Sequence, residues 1–319
     1  MSLKTRITLP LILLAFTIQS QIKPDSLEKG RSVTASVSAG TSESRELFQR
    51  KGRFFGYWGY NRSAYTKSNI HIWGDGYNFS ITDVSAKDDP TTNFSTYVKP
   101  NSLSVPENNY RIGYYVSDKF FVSLGIDHMK YAINKQTTRL TGTVSKDNNH
   151  GANIGTYNNT EVVVGEGENN DPASIIDQLP KGFVSGFEHC DGLNDVSVDV
   201  GRLEQLWISK NHKMALAVVG ALGLGMLVPD SDTDILGYPP KHDMNTGKKA
   251  FHLAGYSGSM SFGLQFDFCK NFFLLARLKG GYINLPDINT TTTGGKASQH
   301  FGFIEPMMVV GYTHSFSKK

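Results

Sequence analysis

Cysteine is scarce in this chain: two thiols, Cys190 and Cys269, among 319 residues cannot staple a secreted scaffold with disulfides. Beyond Phe16 the sequence also lacks any apolar run long enough to cross a bilayer as a helix, which excludes a helical membrane protein. Charge of neither sign is in excess. Without Lys4 and Arg6, 30 basic residues stand against 29 acidic ones, so there is no electrostatic footprint for a nucleic-acid partner. No P-loop, zinc-ribbon spacing or nucleophile elbow occurs, and the corresponding nucleotide, zinc and hydrolase chemistries have no support.

What is present starts with the three parts of an export signal: Lys4 and Arg6, the apolar run Ile7 to Phe16, and Ile18-Gln19-Ser20 before Gln21. Residues 1–20 are therefore expected to be a signal peptide cleaved after Ser20. Residues 21–52 are polar without a sustained period and read as a mobile periplasmic leader. Within it, Asp25-Ser26-Leu27 has the form of a three-residue O-glycosylation site, although a plain linker is the commoner meaning of so short a match.

From Arg53 onward the pattern has period two. Met214, Leu216, Val218, Leu222 and Leu224 fall on one face of a strand and Ala217, Ala221, Gly223 and Gly225 on the other, as expected where one side meets lipid and the other a crowded lumen. A mean hydropathy of −0.30 does not argue against a membrane, because alternating strands hardly raise the mean. The 32 glycines, 14 tyrosines and 19 phenylalanines suit strands, tight turns and aromatic girdles.

Connections alternate in length. Ser117-Asp118-Lys119, Ser209 to Lys213 and Cys269-Lys270-Asn271 are turn-like, while 74–107, 135–193, 229–249 and 285–297 are long and polar, the asymmetry between the two faces of an outer-membrane barrel. This places strands at 53–73, 108–117, 119–134, 194–209, 212–228, 250–268, 271–284 and 298–316. The expected fold is an all-β transmembrane antiparallel barrel of eight strands over 53–319. The count becomes ten if hairpins at Gly74-Asp75-Gly76 and within 135–193 enter the membrane rather than project outside. Cys190 then lies above the outer rim and Cys269 at the inner one, so the two should not be joined.

Four ordered blocks carry a resemblance: Trp58-Gly59-Tyr60-Asn61-Arg62, Asp127-His128-Met129-Lys130-Tyr131, His189-Cys190-Asp191-Gly192-Leu193-Asn194 and Lys279-Gly280-Gly281-Tyr282-Ile283-Asn284. Together they resemble an outer-membrane barrel family of Bacteroidota that has no settled activity, and the likeness implies the barrel fold alone. The family pattern implies a threonine where this chain has Cys190, which speaks against an essential thiol there.

Eight strands enclose a space just wide enough for side chains, so function is expected at the outer rim or in the loops. Asp127, His128, Glu188 and His189 are the catalytic candidates there, since two imidazoles with nearby carboxylates suffice for acid-base chemistry. Lys130, Asp191, Asn194, Lys279, Tyr282 and His300 are ligand-binding candidates. Solvated or lumen-filling networks are the ordinary role of such residues in a barrel. Asp230, Asp232 and Asp234 alternate as calcium candidates, with no other cofactor indicated. Arg277 and Lys279 share an inward face and are expected to pair with acids such as Asp267 or Glu305. The adjacent His189 and Cys190 point to opposite sides of a strand and make a poor thiol-imidazole pair. Three functions follow: a surface barrel whose partners are outer-membrane lipids and, through its loops, another surface protein or a glycan; an enzyme acting on lipopolysaccharide or phospholipid; or a narrow channel.

Overall fold

The computed structural model describes residues 48–91, 93–99, 106–165, 179–189, 192–241, 250–268 and 271–316. The signal, most of the leader, Cys190, Asp191 and Cys269 lie outside the described residues. The elements are β1 (Phe54–Asn61), β2 (Ala64–Tyr65), β3 (Ser68–Gly74), β4 (Tyr77–Val84), β5 (Ala86–Lys87), α1 (Phe94–Val98), β6 (Asn108–Tyr115), β7 (Phe120–Met129), β8 (Ala132–Ile133) and β9 (Gln136–Val144). They continue with β10 (Gly155–Val164), β11 (Val184–Glu188), β12 (Leu193–Ile208), β13 (Ala215–Pro229), β14 (Asp232–Ile235), β15 (Gly255–Phe268), β16 (Phe272–Asn289) and β17 (Lys296–His314).

Eight strands pair antiparallel in the order β1-β6-β7-β12-β13-β15-β16-β17, and β17 pairs back onto β1 from Phe54↔His314 to Asn61↔Met307. The ring is closed. Outward side chains are apolar: Val196, Val198 and Val200 on β12 alternate with inward Asp195, Ser197 and Asp199, and Leu222 and Leu224 on β13 are among the most exposed residues of the barrel. On β16 the outward row runs from Phe272 to Tyr282, a rise of about 25 Å for a strand tilted at about 40°, which matches an apolar membrane band. Aromatic rings mark its edges, with Phe54, Tyr114, Phe120 and Tyr312 near the short turns and Tyr110, Tyr256 and Tyr282 at the other end.

Above that second edge the longer strands continue into a folded head. The upper part of β17 pairs with β3, and β3-β4-β9-β10 extend the sheet. Facing it is a second sheet, β14-β11-β8-β5. Ile70, Ile72, Phe79, Leu140 and Val162 on the first, with Phe183, Val184, Phe187 and Ile235 on or beside the second, form one buried apolar cluster. The Gly74-Asp75-Gly76 segment is the tight β3–β4 turn, where Gly76 takes a positive φ of 84°, a conformation open to glycine without a Cβ clash. Both hairpins therefore project from the barrel and join each other, and the membrane count stays at eight.

The first expected strand, 53–73, is present in three pieces rather than one. β1, β2 and β3 follow one another along β17 (Asn61↔Met307, Ala64↔Ile304, Ile70↔Gln299), with breaks at 62–63 and 66–67. The cause of the first break lies opposite. Arg62 donates its N–H to the Pro306 carbonyl (3.1 Å), but Pro306 has no N–H to return, so the ladder is interrupted there.

At the short-turn rim, side-chain contacts begin before Arg53. Arg50 reaches Asp267 inside the mouth, and the Phe48 N–H donates to Gln205 (2.7 Å). The last residues of the leader thus close the barrel floor.

Candidate functional site

The lumen is built in layers. Nearest the short turns, Phe55, Tyr57, Tyr115, Phe121, Phe273 and Leu275 form an apolar plug, with an internal cavity of only about 10 Å³, about the least that holds one water. Above it lies a layer of ions. Lys279 Nζ donates to Asp127 Oδ2 (2.6 Å) and Asp195 Oδ2 (2.8 Å), Arg111 pairs with Asp127 (3.3 Å) and Asp199 (3.1 Å), and Arg277 pairs with Asp199 (2.6 Å). Neutral groups complete the net: Ser257 donates to Asp195 (2.7 Å), Arg277 to the Tyr57 hydroxyl (3.0 Å), and Asn109 to Asp127 (2.8 Å). All these charged side chains are at least nine-tenths buried. Small residues make room for them, since a Cβ on Gly225 would overlap Asp195 Oδ1 and one on Gly223 would crowd Asp199.

The expected rim cluster is not assembled. Asp127 faces inward, while His128, the next residue, faces outward and bonds Asn194 through Nδ1 (2.9 Å). Lys279 is fully buried in the ion layer rather than at the rim, because β16 continues past Asn284 to Asn289 and carries the true edge higher. Arg277 and Lys279 take Asp199, Asp127 and Asp195 as partners instead of Asp267 or Glu305; Asp267 is held by Arg50, and Glu305 receives Asn61 and Asn109.

His189 lies in the head with no exposed surface. Its Nδ1 meets the Ser231 hydroxyl (2.8 Å) and its Nε2 the Gln299 amide nitrogen (3.2 Å), among the rings of Tyr131 and Phe187. Burial pushes this imidazole down to about 3, so it is neutral at ordinary pH. Among the described residues its side-chain hydrogen-bond partners are Ser231 and Gln299, and no carboxylate is one of them. Glu188 pairs with Ala132 and Asp232 through the second sheet. The four catalytic candidates are thus spread over lumen, outer wall and head.

The ligand candidates are scattered too. Tyr282 and His300 are neighbours on the outward face (rings 5.9 Å apart), and Lys130 contributes its carbonyl to the Tyr65 hydroxyl (2.6 Å). The calcium triplet is also divided: Asp230 is buried and accepts the Ala250 N–H (3.0 Å), whereas Asp234 sits half-exposed near His150 (3.6 Å). Among the described residues no group of three His, Cys, Asp or Glu side chains is arranged to hold a metal ion.

What sequence reasoning missed is the depth of the ion layer and its partners Arg111, Asp195 and Asp199. A signal existed in the alternation of Asp195, Ser197 and Asp199 with three valines. The other missed feature is the open face of the head. Lys296, Trp73, Asn78, Thr143 and Thr156 form one row across five strands, with Ser298, His71, Ser80 and Thr141 forming the next. The His71 and Trp73 rings stack at 4.9 Å, His71 bonds Asn78 (2.8 Å), and Lys296 and Arg139 are paired with Asp287 and Glu161.

A closed eight-stranded antiparallel ring with an apolar outer band, aromatic edges and a filled polar interior defines a transmembrane β-barrel of the outer-membrane type. No protein-family model matches the sequence, and no curated protein matches it. Among solved structures it is similar to the outer membrane protein AlkL (10% identity, 92% of this chain and 99% of that one, TM-score 0.37) and to OprG from Pseudomonas aeruginosa (11%, 85% and 100%, 0.38). It is also similar to Ail, the attachment invasion locus protein of Yersinia pestis (12%, 83% and 99%, 0.26).

Proposed function

We propose that this is a sealed outer-membrane barrel of the Bacteroidota family whose sequence blocks it resembles, displaying its head at the cell surface to bind a carbohydrate. The observation that carries the reading is a contrast between two regions. The lumen is filled from floor to head by apolar and ionic layers, while the head turns a broad face of hydroxyl and amide side chains with a stacked His71–Trp73 pair to solvent. A filled lumen disfavours the channel, and a walled-off His189 disfavours the lipid enzyme. An aromatic plate beside Asn, Ser and Thr side chains suits a sugar, which offers an apolar ring face and a rim of hydroxyls. The charges at the edges of this face are already paired, so a neutral glycan fits better than an acidic one.

Binding of the purified full chain to a glycan array tests the reading, with Trp73→Ala alongside. Saturable binding to a defined set of neutral glycans, weakened at least about tenfold by the substitution, is expected, since the aromatic plate supplies much of the contact. Absence of glycan binding, or binding indifferent to Trp73, overturns the carbohydrate assignment. A change in lipid A or phospholipid species between cells with and without the protein, seen by mass spectrometry, would overturn the non-enzymatic one.

A further inference from the structure

Between the ion layer and the head the barrel holds a second polar compartment, which the binding face does not use. Asn61 ends β1 and faces inward opposite Glu107, whose carbonyl accepts its N–H (3.3 Å). Two residues on, Ser63 donates its N–H to Asp88 Oδ2 (3.1 Å), which brings Asp88 in from the segment after β5. Arg62 holds Glu107 Oε2 (2.6 Å). The second oxygen of each carboxylate is buried without a hydrogen bond, and the two carboxyl groups face each other. The side-chain oxygens of Ser63 and Asn61 are likewise buried and unpartnered. Glu107 is fully buried, and Asn61 and Ser63 are more than nine-tenths buried.

Charge makes this arrangement costly as it stands. Across this compartment and the ion layer below, six carboxylates (Asp88, Glu107, Asp127, Asp195, Asp199 and Glu305) meet four cations, Arg62, Arg111, Arg277 and Lys279. With all six ionised, two negative charges are left over. Uncompensated buried charge is among the most expensive features a fold can carry. A bridging water would satisfy the oxygens and leave the charge, which only a shared proton or a bound cation offsets.

We propose that Asp88 and Glu107, with the neutral oxygens of Ser63 and Asn61, hold one divalent calcium-class cation that pins the segment after β5 to the top of the barrel. Oxygen-only donors, two carboxylates and mixed neutral ligands are the set a hard, geometrically tolerant cation takes. The site is separate from Asp230, Asp232 and Asp234 and independent of the carbohydrate reading.

Isothermal titration of calcium chloride into the EDTA-stripped, detergent-refolded full chain is the test, with folding scored by gel mobility. One saturable site per chain with a Kd of about 10⁻⁴ M or tighter is expected. Glu107→Gln and Asp88→Asn should each weaken it at least about tenfold, while Asp232→Asn with Asp234→Asn should leave it unchanged. Should Glu107→Gln fail to fold, Asp88→Asn, which lies outside the strands, carries the comparison. Absence of a saturable site in the wild type, or binding retained by Asp88→Asn, overturns the assignment; stability that rises on acidification but not with calcium would identify a shared proton instead.

Discussion

Replacing Lys279 by methionine keeps most of the side-chain volume and deletes the ammonium that joins Asp127 to Asp195. Asp127 would retain Arg111 and Asn109, but Asp195 would be left with the Ser257 hydroxyl as its one described side-chain partner. Both carboxylates are essentially unexposed, so solvent cannot compensate. Removing one member of a buried ion pair costs about 3 to 5 kcal/mol, and Lys279→Met should fall in that range. Adding Asp195→Asn removes one charge of each sign and keeps an acceptor for Ser257; about 2 kcal/mol should return. Urea unfolding in lipid vesicles, followed by tryptophan fluorescence and gel mobility, measures both. Planar-bilayer conductance should stay closed in either variant, since the apolar plug around Phe55, Phe121 and Phe273 is a separate seal. A single variant within about 1 kcal/mol of wild type would refute the reasoning, for it would mean that water screens the layer.

Other outcomes follow from the same structure. Leu222→Arg puts a charge on the most lipid-exposed stretch of β13 and should cost about 2 to 4 kcal/mol if that level is mid-membrane, read from vesicle unfolding. Gly225→Val should be destabilising by about 1 to 3 kcal/mol through displacement of Asp195, in the same assay. His189 binds its proton less tightly folded than unfolded, so its contribution is complete above the unfolded value of about 6.5 and declines as pH falls from there toward the folded value of about 3, by up to about 1.4 kcal/mol per pH unit. Hydrogen exchange of β11 between pH 7 and 4 should show the protection falling, and His189→Gln should flatten the slope.

Much of the barrel could be read directly. The alternation of short and long connections placed all eight membrane strands, and Leu222 and Leu224 face outward with Gly223 and Gly225 inward as the period required. The head was less legible, because β3, β4, β9 and β10 are locally polar on one side and find their apolar partners far away in sequence, in β11 and β14. Depth was the main error at the site. Period two tells which face Lys279 and Asp127 take but not how far from the rim they sit, and that depends on where β7 and β16 end. The break after Asn61 was hidden for a related reason: its cause, Pro306, lies on a strand met only at the end of the chain.

β17 is a single strand of 19 residues, long enough at roughly 3.3 Å per residue to reach from the short-turn rim into the head. Its lower half zips onto β1 and its upper end is the template for β3, on which β4, β9 and β10 are hung. β17, which follows every other strand in the sequence, is therefore needed twice, and both pairings wait on the same arrival. During assembly the head's larger sheet has no strand joining it to the ring until β17 is in place, so the fold makes docking of the head a late event coupled to ring closure. A barrel stalled open would carry that sheet unanchored, with its edge available to proteases.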